Sequence, residues 1–218
     1  MTNESREARA VKIKICGITS RDDACDAIEC GADALGFNLF PGSKRFIELE
    51  SAAGWIRQLP QGIGRVAVMV NPTLNAAIST AESGLFDSLQ LHGDETTEFC
   101  RKLADAGIRF TKALAMVDET SMAQPCDFST KNILLDSRSS EGFGGTGRVF
   151  PWSLARRFAD SHPEFRVTLA GGLTPENVRD AIAAVQPAAV DVTSGVEADF
   201  GRKDRSLVKA FIAAVQAT

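Results

Sequence analysis

Short apolar runs recur along the chain, each followed by a turn signal and then by a stretch with helical spacing. This pattern is an alternation of strand and helix. The runs are VKIKI (11–15), ALGFN (34–38), RVAVMV (65–70), SLQL (88–91), RFTKAL (109–114), NILL (132–135), RVTLA (166–170) and AVDVT (189–193). Helices are predicted to begin near Arg21, Glu48, Pro72, Glu95, Glu119, Pro151, Thr174 and Asp204. Asn71-Pro72 and Thr174-Pro175-Glu176 put a proline in the first turn, where its missing N–H costs nothing. The stretch from Glu119 has the weakest helical pattern. Eight units in 218 residues average about 27 residues each, which is what a strand, a loop, a helix and a return loop require. An open doubly wound sheet usually stops at about five or six strands. No Pro/Gly/Ser-rich linker divides the chain, so the predicted fold is α/β: a single-domain (β/α)8 TIM barrel over 11–218. Residues 1–10, MTNESREARA, read as a flexible polar extension.

A parallel strand covered on both faces normally reads as a continuous apolar run, yet the first strand alternates Val11, Lys12, Ile13, Lys14, Ile15, Cys16. With Ile13 and Ile15 packed outward, Lys14 and Cys16 point into the barrel. Lys112 on the fifth strand is expected to do the same. Buried ammonium groups need partners, and Asp191 and Gln90 are the candidates, so a polar lumen is predicted. Lys12 has the alternative of snorkelling to the bottom rim.

Composition narrows the function classes. Hydrophobic residues at 44% and charged ones at 24% are those of an ordinary globular chain. Net charge is −4 and pI about 5.3, which offers no general cationic field for nucleic acid or an anionic membrane. The cysteines at 16, 25, 30, 100 and 126 include no CxxC pair, and their odd number fits neither a disulfide framework nor a zinc knuckle. They read as reduced thiols. His92 and His162 belong to no metal-ligand spacing, so no metal is expected. The polar start and the lack of any run near ~18 apolar residues point to a cytoplasmic protein.

In this fold the chemistry sits at the C-terminal strand ends and in the loops that follow them. Glycines at 171, 172 and 195, after strands seven and eight, let backbone N–H groups close on an anion without a basic side chain. A phosphorylated ligand is therefore expected.

The motifs KICGIT (14–19), GADALGF (31–37), QLHGDE (90–95), LLDS (134–137), GGTG (144–147), LAGGLTPENV (169–178), VDVTSGVE (190–197) and GRKD (201–204) resemble those of the phosphoribosylanthranilate isomerases of tryptophan biosynthesis. They occur in the family's order, from Val11 onward. The resemblance implies the Amadori rearrangement of N-(5-phosphoribosyl)anthranilate to 1-(2-carboxyphenylamino)-1-deoxyribulose 5-phosphate, without metal or organic cofactor. It also implies Cys16 as general base, Asp136 as general acid, and Arg45 as the planar fork that holds the anthranilate carboxylate. Substrate contacts fall on Asp191, Gly145, Gly171, Gly172, Ser194 and Gly195. The match of His92 implies architecture beside the site rather than proton transfer. Strands one and six lie three steps apart on an eight-strand ring, about 135°, so Cys16 and Asp136 can flank one sugar. Lys14 lies ~6.7 Å from Cys16 by strand rise and is expected to favour its thiolate. Asp136 must stay protonated long enough to donate, which calls for burial or a nearby negative charge. A monomer or a homodimer is compatible with this reading.

The sequence departs from the family pattern at Pro151, Thr193, Ala67 and Met69. The added methyl of Thr193 is expected beside the phosphate nest, and the packing at the end of strand three is left open. Strand three ends in Val70-Asn71 without the lysine that indole-glycerol-phosphate synthase uses there. The alternatives are a histidine-pathway phosphoribosyl isomerase, which would place aspartate where Cys16 stands, and a phosphosugar-binding barrel without turnover.

Overall fold

Eight parallel strands close into a barrel in chain order: β1 (Lys12–Cys16), β2 (Ala34–Asn38), β3 (Gly64–Met69), β4 (Ser88–Leu91), β5 (Phe110–Ala115), β6 (Asn132–Asp136), β7 (Arg166–Leu169) and β8 (Ala189–Val192). The computed structural model describes residues 11–123, 127–137 and 151–218. The α-helices among them are α1 (Arg21–Cys30), α2 (Leu49–Arg57), α3 (Leu74–Glu82), α4 (Thr97–Asp105), α5 (Trp152–Ser161), α6 (Val178–Val185) and α7 (Arg205–Gln216). In the fifth unit the predicted helix is a short 3-10 turn, Glu119–Ala123, as its poor helical pattern foreshadowed. A hairpin, β9 (Glu197–Asp199) and β10 (Arg202–Lys203), is inserted between β8 and α7.

Local chemistry sets the helix starts one or two residues beyond several of the predicted positions. Ser20, Thr73 and Thr96 accept from the backbone N–H groups of Asp23, Ala76 and Phe99, so α1, α3 and α4 begin after a hydroxyl cap. Asp204 caps α7 through Ser206 and Leu207. Pro151 precedes α5 and presents its carbonyl to Leu154 N. An aspartate at this place is not needed to start the helix.

Strand alternation separates two environments. Ile13, Ile15, Leu35, Phe37, Leu89, Leu91, Ile133, Leu135, Val190 and Val192 face outward into one core shared with the helices. Ala67 and Met69 belong to that outer core, so their departure from the family pattern is a packing matter behind the wall. The inner face carries Lys14, Cys16, Gln90, Asp136 and Asp191, all buried, together with a small apolar cluster of Ala113, Leu134 and Ala170. The polar lumen is present. Lys12 turns to the rim, where its side chain is 38% exposed and reaches Asp33 at 3.4 Å.

Lys112 corrects the sequence expectation. It shares its strand face with Phe110 and Leu114, both in the outer core, so its side chain lies behind the wall and not in the lumen. Its partner is neither Gln90 nor Asp191 but Glu95, at 2.8 Å, with the two side chains 3% and 1% exposed. Lys112 Nζ also donates to the carbonyls of Gly93 and Ala113, and Glu95 accepts from the N–H groups of Asn71 and Gly93. The ammonium and the carboxylate together strap the loop after β4 from outside. The sequence pattern was misleading because a lysine between Thr111 and Ala113 has the same spacing whichever face is polar.

Lys112→Met leaves Glu95 charged, buried and short of its cation, and is expected to destabilise by about 3–5 kcal/mol in urea unfolding. Adding Glu95→Gln removes the stranded charge while keeping an acceptor for the N–H groups of Asn71 and Gly93. The double variant is expected to recover most of the loss; an equally unstable double variant would show that the charge was not the cause.

Candidate active site

The base candidate and the seam of the barrel occupy the same place. The β1–β8 register puts Lys14 opposite Asp191, and Lys14 Nζ donates to both Asp191 oxygens at 2.9 Å. Cys16, one inward position further along β1, lies within the electrostatic reach of the same ammonium. Gly36 on β2 makes the room: a Cβ there would stand 2.6 Å from Cys16 Sγ and 3.0 Å from Lys14 Cε. Burial works against the Lys14 ammonium, but Asp191 and Cys16 outweigh it and hold the amine above its ordinary value.

The expected effect of Lys14 on the thiol is only partly realised. Burial pushes the Cys16 thiol up; Lys14 pulls it down, and Asp191 pushes it up again. The net direction is upward. The ammonium favours the thiolate, but burial outweighs it and the carboxylate that the ammonium holds opposes it.

Asp136 ends β6 on the inner face and is 8% exposed. His92 Nε2 lies 3.1 Å from Asp136 Oδ2, and the Gln90 amide lies 2.8 Å from His92 Nδ1. With the Gln90 NH2 donating to Nδ1, the imidazole carries its proton on Nε2 and donates to Asp136. His92 is therefore a hydrogen-bonded group beside the carboxyl, on the loop that Glu95 and Lys112 strap from behind.

Arg45 is buried and its fork is occupied on one edge: Nε donates to Glu197 Oε1 at 2.8 Å and Nη2 to Glu197 Oε2 at 2.7 Å. Nη1 makes no hydrogen bond to a described residue. Lys203 Nζ reaches the same carboxylate at 3.0 Å and the Thr193 carbonyl at 3.1 Å. Gly17, at φ +73°, lets the arginine pass, since a Cβ there would stand 2.7 Å from Arg45 Cδ. The Thr193 methyl packs toward the same glycine, 3.1 Å from that Cβ position, and so contacts the first loop. Lys44 is exposed, 3.9 Å from the centre of the Phe200 ring.

The glycines after β7 and β8 bring loops into contact. Gly171 and Gly172 both have positive φ, and a Cβ on Gly171 would stand 2.6 Å from Ser137 N and 2.9 Å from Asp136 Oδ1. A Cβ on Gly195 would stand well inside contact distance of the Leu173 carbonyl. Ser194 opens the 3-10 turn Ser194–Val196 directly beside it. Asn177 ties the seventh loop by accepting from Thr174 N and donating to Gly172 O. Gly145 and Cys126 lie outside the described residues.

Sequence reasoning passed over Glu197, Lys203 and Gly36 as working parts, although each lies in a motif quoted above. Glu197 and Lys203 are six residues apart, and only the hairpin pairing sets them side by side. The cue was available in part: a glutamate and a lysine flanking Asp-Phe-Gly, a turn sequence.

The chain matches the family model described as N-(5'phosphoribosyl)anthranilate (PRA) isomerase over residues 13–214. It is 44% identical over 203 residues to the N-(5'-phosphoribosyl)anthranilate isomerase of Thermotoga maritima, covering 93% of this chain and 97% of that one. The crystal structure of phosphoribosyl anthranilate isomerase from Thermotoga maritima superposes with a TM-score of 0.87 at 42% identity, covering 95% of this chain and all of the other. A second structure of such an isomerase, in complex with reduced 1-(o-carboxyphenylamino)-1-deoxyribulose 5-phosphate, gives a TM-score of 0.84 at 41% identity and the same coverage. By these likenesses, over nearly the whole barrel, the chain belongs to the phosphoribosylanthranilate isomerase family.

Proposed function

We propose that this chain carries out its family's reaction, the Amadori rearrangement of N-(5-phosphoribosyl)anthranilate in tryptophan biosynthesis, with Asp136 as acid and Cys16 as base. The observation that carries the assignment of roles is that both groups end their strands buried on the inner wall, Cys16 one inward position along β1 from Lys14. Asp136 gives its proton to the ribose ring oxygen, the C1–O bond breaks, and the nitrogen lone pair forms an iminium. Cys16 then takes the proton from C2, the electrons move to the nitrogen, and the enolamine tautomerises to the ketose. No atom is gained or lost, as an isomerisation requires.

The raised thiol fits this order of events. Burial holds the Cys16 thiol above its ordinary value in the ligand-free site. The iminium formed by ring opening brings a positive charge into the desolvated lumen that favours the thiolate, the thiol's own proton passing to the Asp136 carboxylate left by the first step. Base strength then arises after the acid has acted. His92 holds the Asp136 carboxylate that remains after the proton has left. Arg45 Nη1 takes the anthranilate carboxylate. The phosphate lies at Gly171, Gly172, Ser194 and Gly195, the usual phosphate location of this fold. Asp191 contributes to the substrate site from the seam, its two oxygens held by Lys14.

Loss of fluorescence from phosphoribosylanthranilate follows turnover directly. Cys16→Ala and Asp136→Asn are each expected to lower kcat by about 10²–10⁴-fold, the usual worth of one acid–base group. Unchanged turnover in either variant removes that group from the mechanism, and an inactive parent that still binds the phosphosugar supports a binding barrel. Alkylation of Cys16 in the ligand-free protein, followed against pH, is expected to rise with a midpoint above the free-thiol value of about 8.5. A midpoint below it would mean that the Lys14 field prevails over burial.

A further inference from the structure

Arg45, Glu197 and Lys203 form a buried cluster of two cations around one carboxylate, with side chains 9%, 5% and 1% exposed. Its formal charge is +1. Taking an uncompensated charge out of water is costly, so a fold that places one at its mouth needs a compensating anion there. Among the described residues no carboxylate other than Glu197 forms an ion pair with either cation. Asp23 spends a carboxylate oxygen on the Lys203 backbone N–H at 3.2 Å, and Thr193 offers Lys203 a carbonyl. The exposed Phe200 ring lies 5.5 Å from the Arg45 guanidinium carbon.

The strain of the arrangement shows in the lysine. Burial depresses the Lys203 ammonium below its ordinary value despite Glu197, whereas Arg45 and Lys203 together overcome burial and hold the Glu197 carboxyl below its own. One carboxylate satisfies the arginine and leaves the lysine short. Glu197 thereby does two things to Arg45: it fixes the guanidinium plane through a two-point contact, and it cancels the charge that an incoming anion would feel.

We infer that Glu197 and Lys203 complete the substrate clamp, Glu197 aiming Arg45 and Lys203 restoring the positive charge that Glu197 removes, so that the cluster takes one ligand carboxylate through Arg45 Nη1. The identity of that carboxylate, the anthranilate ring's, rests on the isomerase reading. Lys203 is a positioning and specificity-determining residue in this account, and it needs no contact with the reacting carbons. The hairpin that carries Glu197 and Lys203 is pinned to the first loop by the Thr19 hydroxyl, which donates to the Gly201 carbonyl. Base and clamp thus stand on connected loops.

The test compares two ligands by calorimetry on the full chain: 1-(2-carboxyphenylamino)-1-deoxyribitol 5-phosphate and its phenylamino counterpart without the carboxylate. The unaltered protein is expected to prefer the carboxylate ligand by roughly 10- to 100-fold, the worth of a charge-assisted contact. Lys203→Met is expected to cut that preference about tenfold while the phenylamino affinity stays within about threefold, and Lys203→Arg to retain it. Lys203→Gln, which can still donate to the Thr193 carbonyl, is expected to repeat the result, and thermal unfolding reports whether each variant is folded. An equal loss with both ligands overturns the inference and makes Lys203 a support of the framework or of Cys16, within whose electrostatic range it stands. An undiminished preference in Lys203→Met, or no preference in the unaltered protein, overturns it as well. Absent turnover with the preference intact would count against the isomerase reading and leave the clamp standing.

Discussion

A lysine and an aspartate facing each other across the closing seam hold both the barrel and its chemistry. Lys14 and Asp191 are opposite each other where the last strand meets the first, and their contact at 2.9 Å lies inside the lumen. Side chains alternate along a strand, so a slip of one residue at this seam would turn one of the two charges into the aliphatic layer under the helices and leave the other unpaired in the lumen. The pair therefore specifies the register of closure as well as the polarity of the cavity. It also shares the Lys14 ammonium between Asp191 and Cys16, so that burial prevails and holds the thiol above its ordinary value.

Three charged clusters are kept apart by the wall and the loops. The seam pair lies within the lumen, Glu95 with Lys112 lies behind the wall under the fourth loop, and Arg45, Glu197 and Lys203 join the second and eighth loops at the mouth. The two ion pairs are balanced and act as struts. The triad at the mouth is not balanced, and that difference separates a structural cluster from one built to meet an anion. Glycine has a matching part at each place: Gly36 admits the thiol and Gly17 admits the guanidinium, both in volumes that a single methyl would fill.

Much of the fold was legible because barrel physics is local and repetitive. Eight apolar runs of strand length at even spacing leave few architectures, and hydroxyl caps such as Thr73 and Thr96 start helices wherever they stand. The inward-facing strand ends of Cys16 and Asp136, to which the roles of base and acid are proposed, were legible too. Lys112 was not. Its spacing on β5 matches that of Lys14 on β1, and only the phase of the strand against the barrel axis decides which of them sees the lumen.

The chain by itself determined the order of strands and helices, the polar stripe on the first strand, and the glycines that leave room at the ends of strands one, two, seven and eight. Those properties follow from residue type and from spacing over a few positions. The partnerships belong to the tertiary structure: Lys14 with Asp191 across 177 residues, Arg45 with Glu197 across 152, and the placing of Lys112 behind the wall. Coulomb attraction depends on distance in space and burial depends on what lies on every side. Neither is known until the ring has closed.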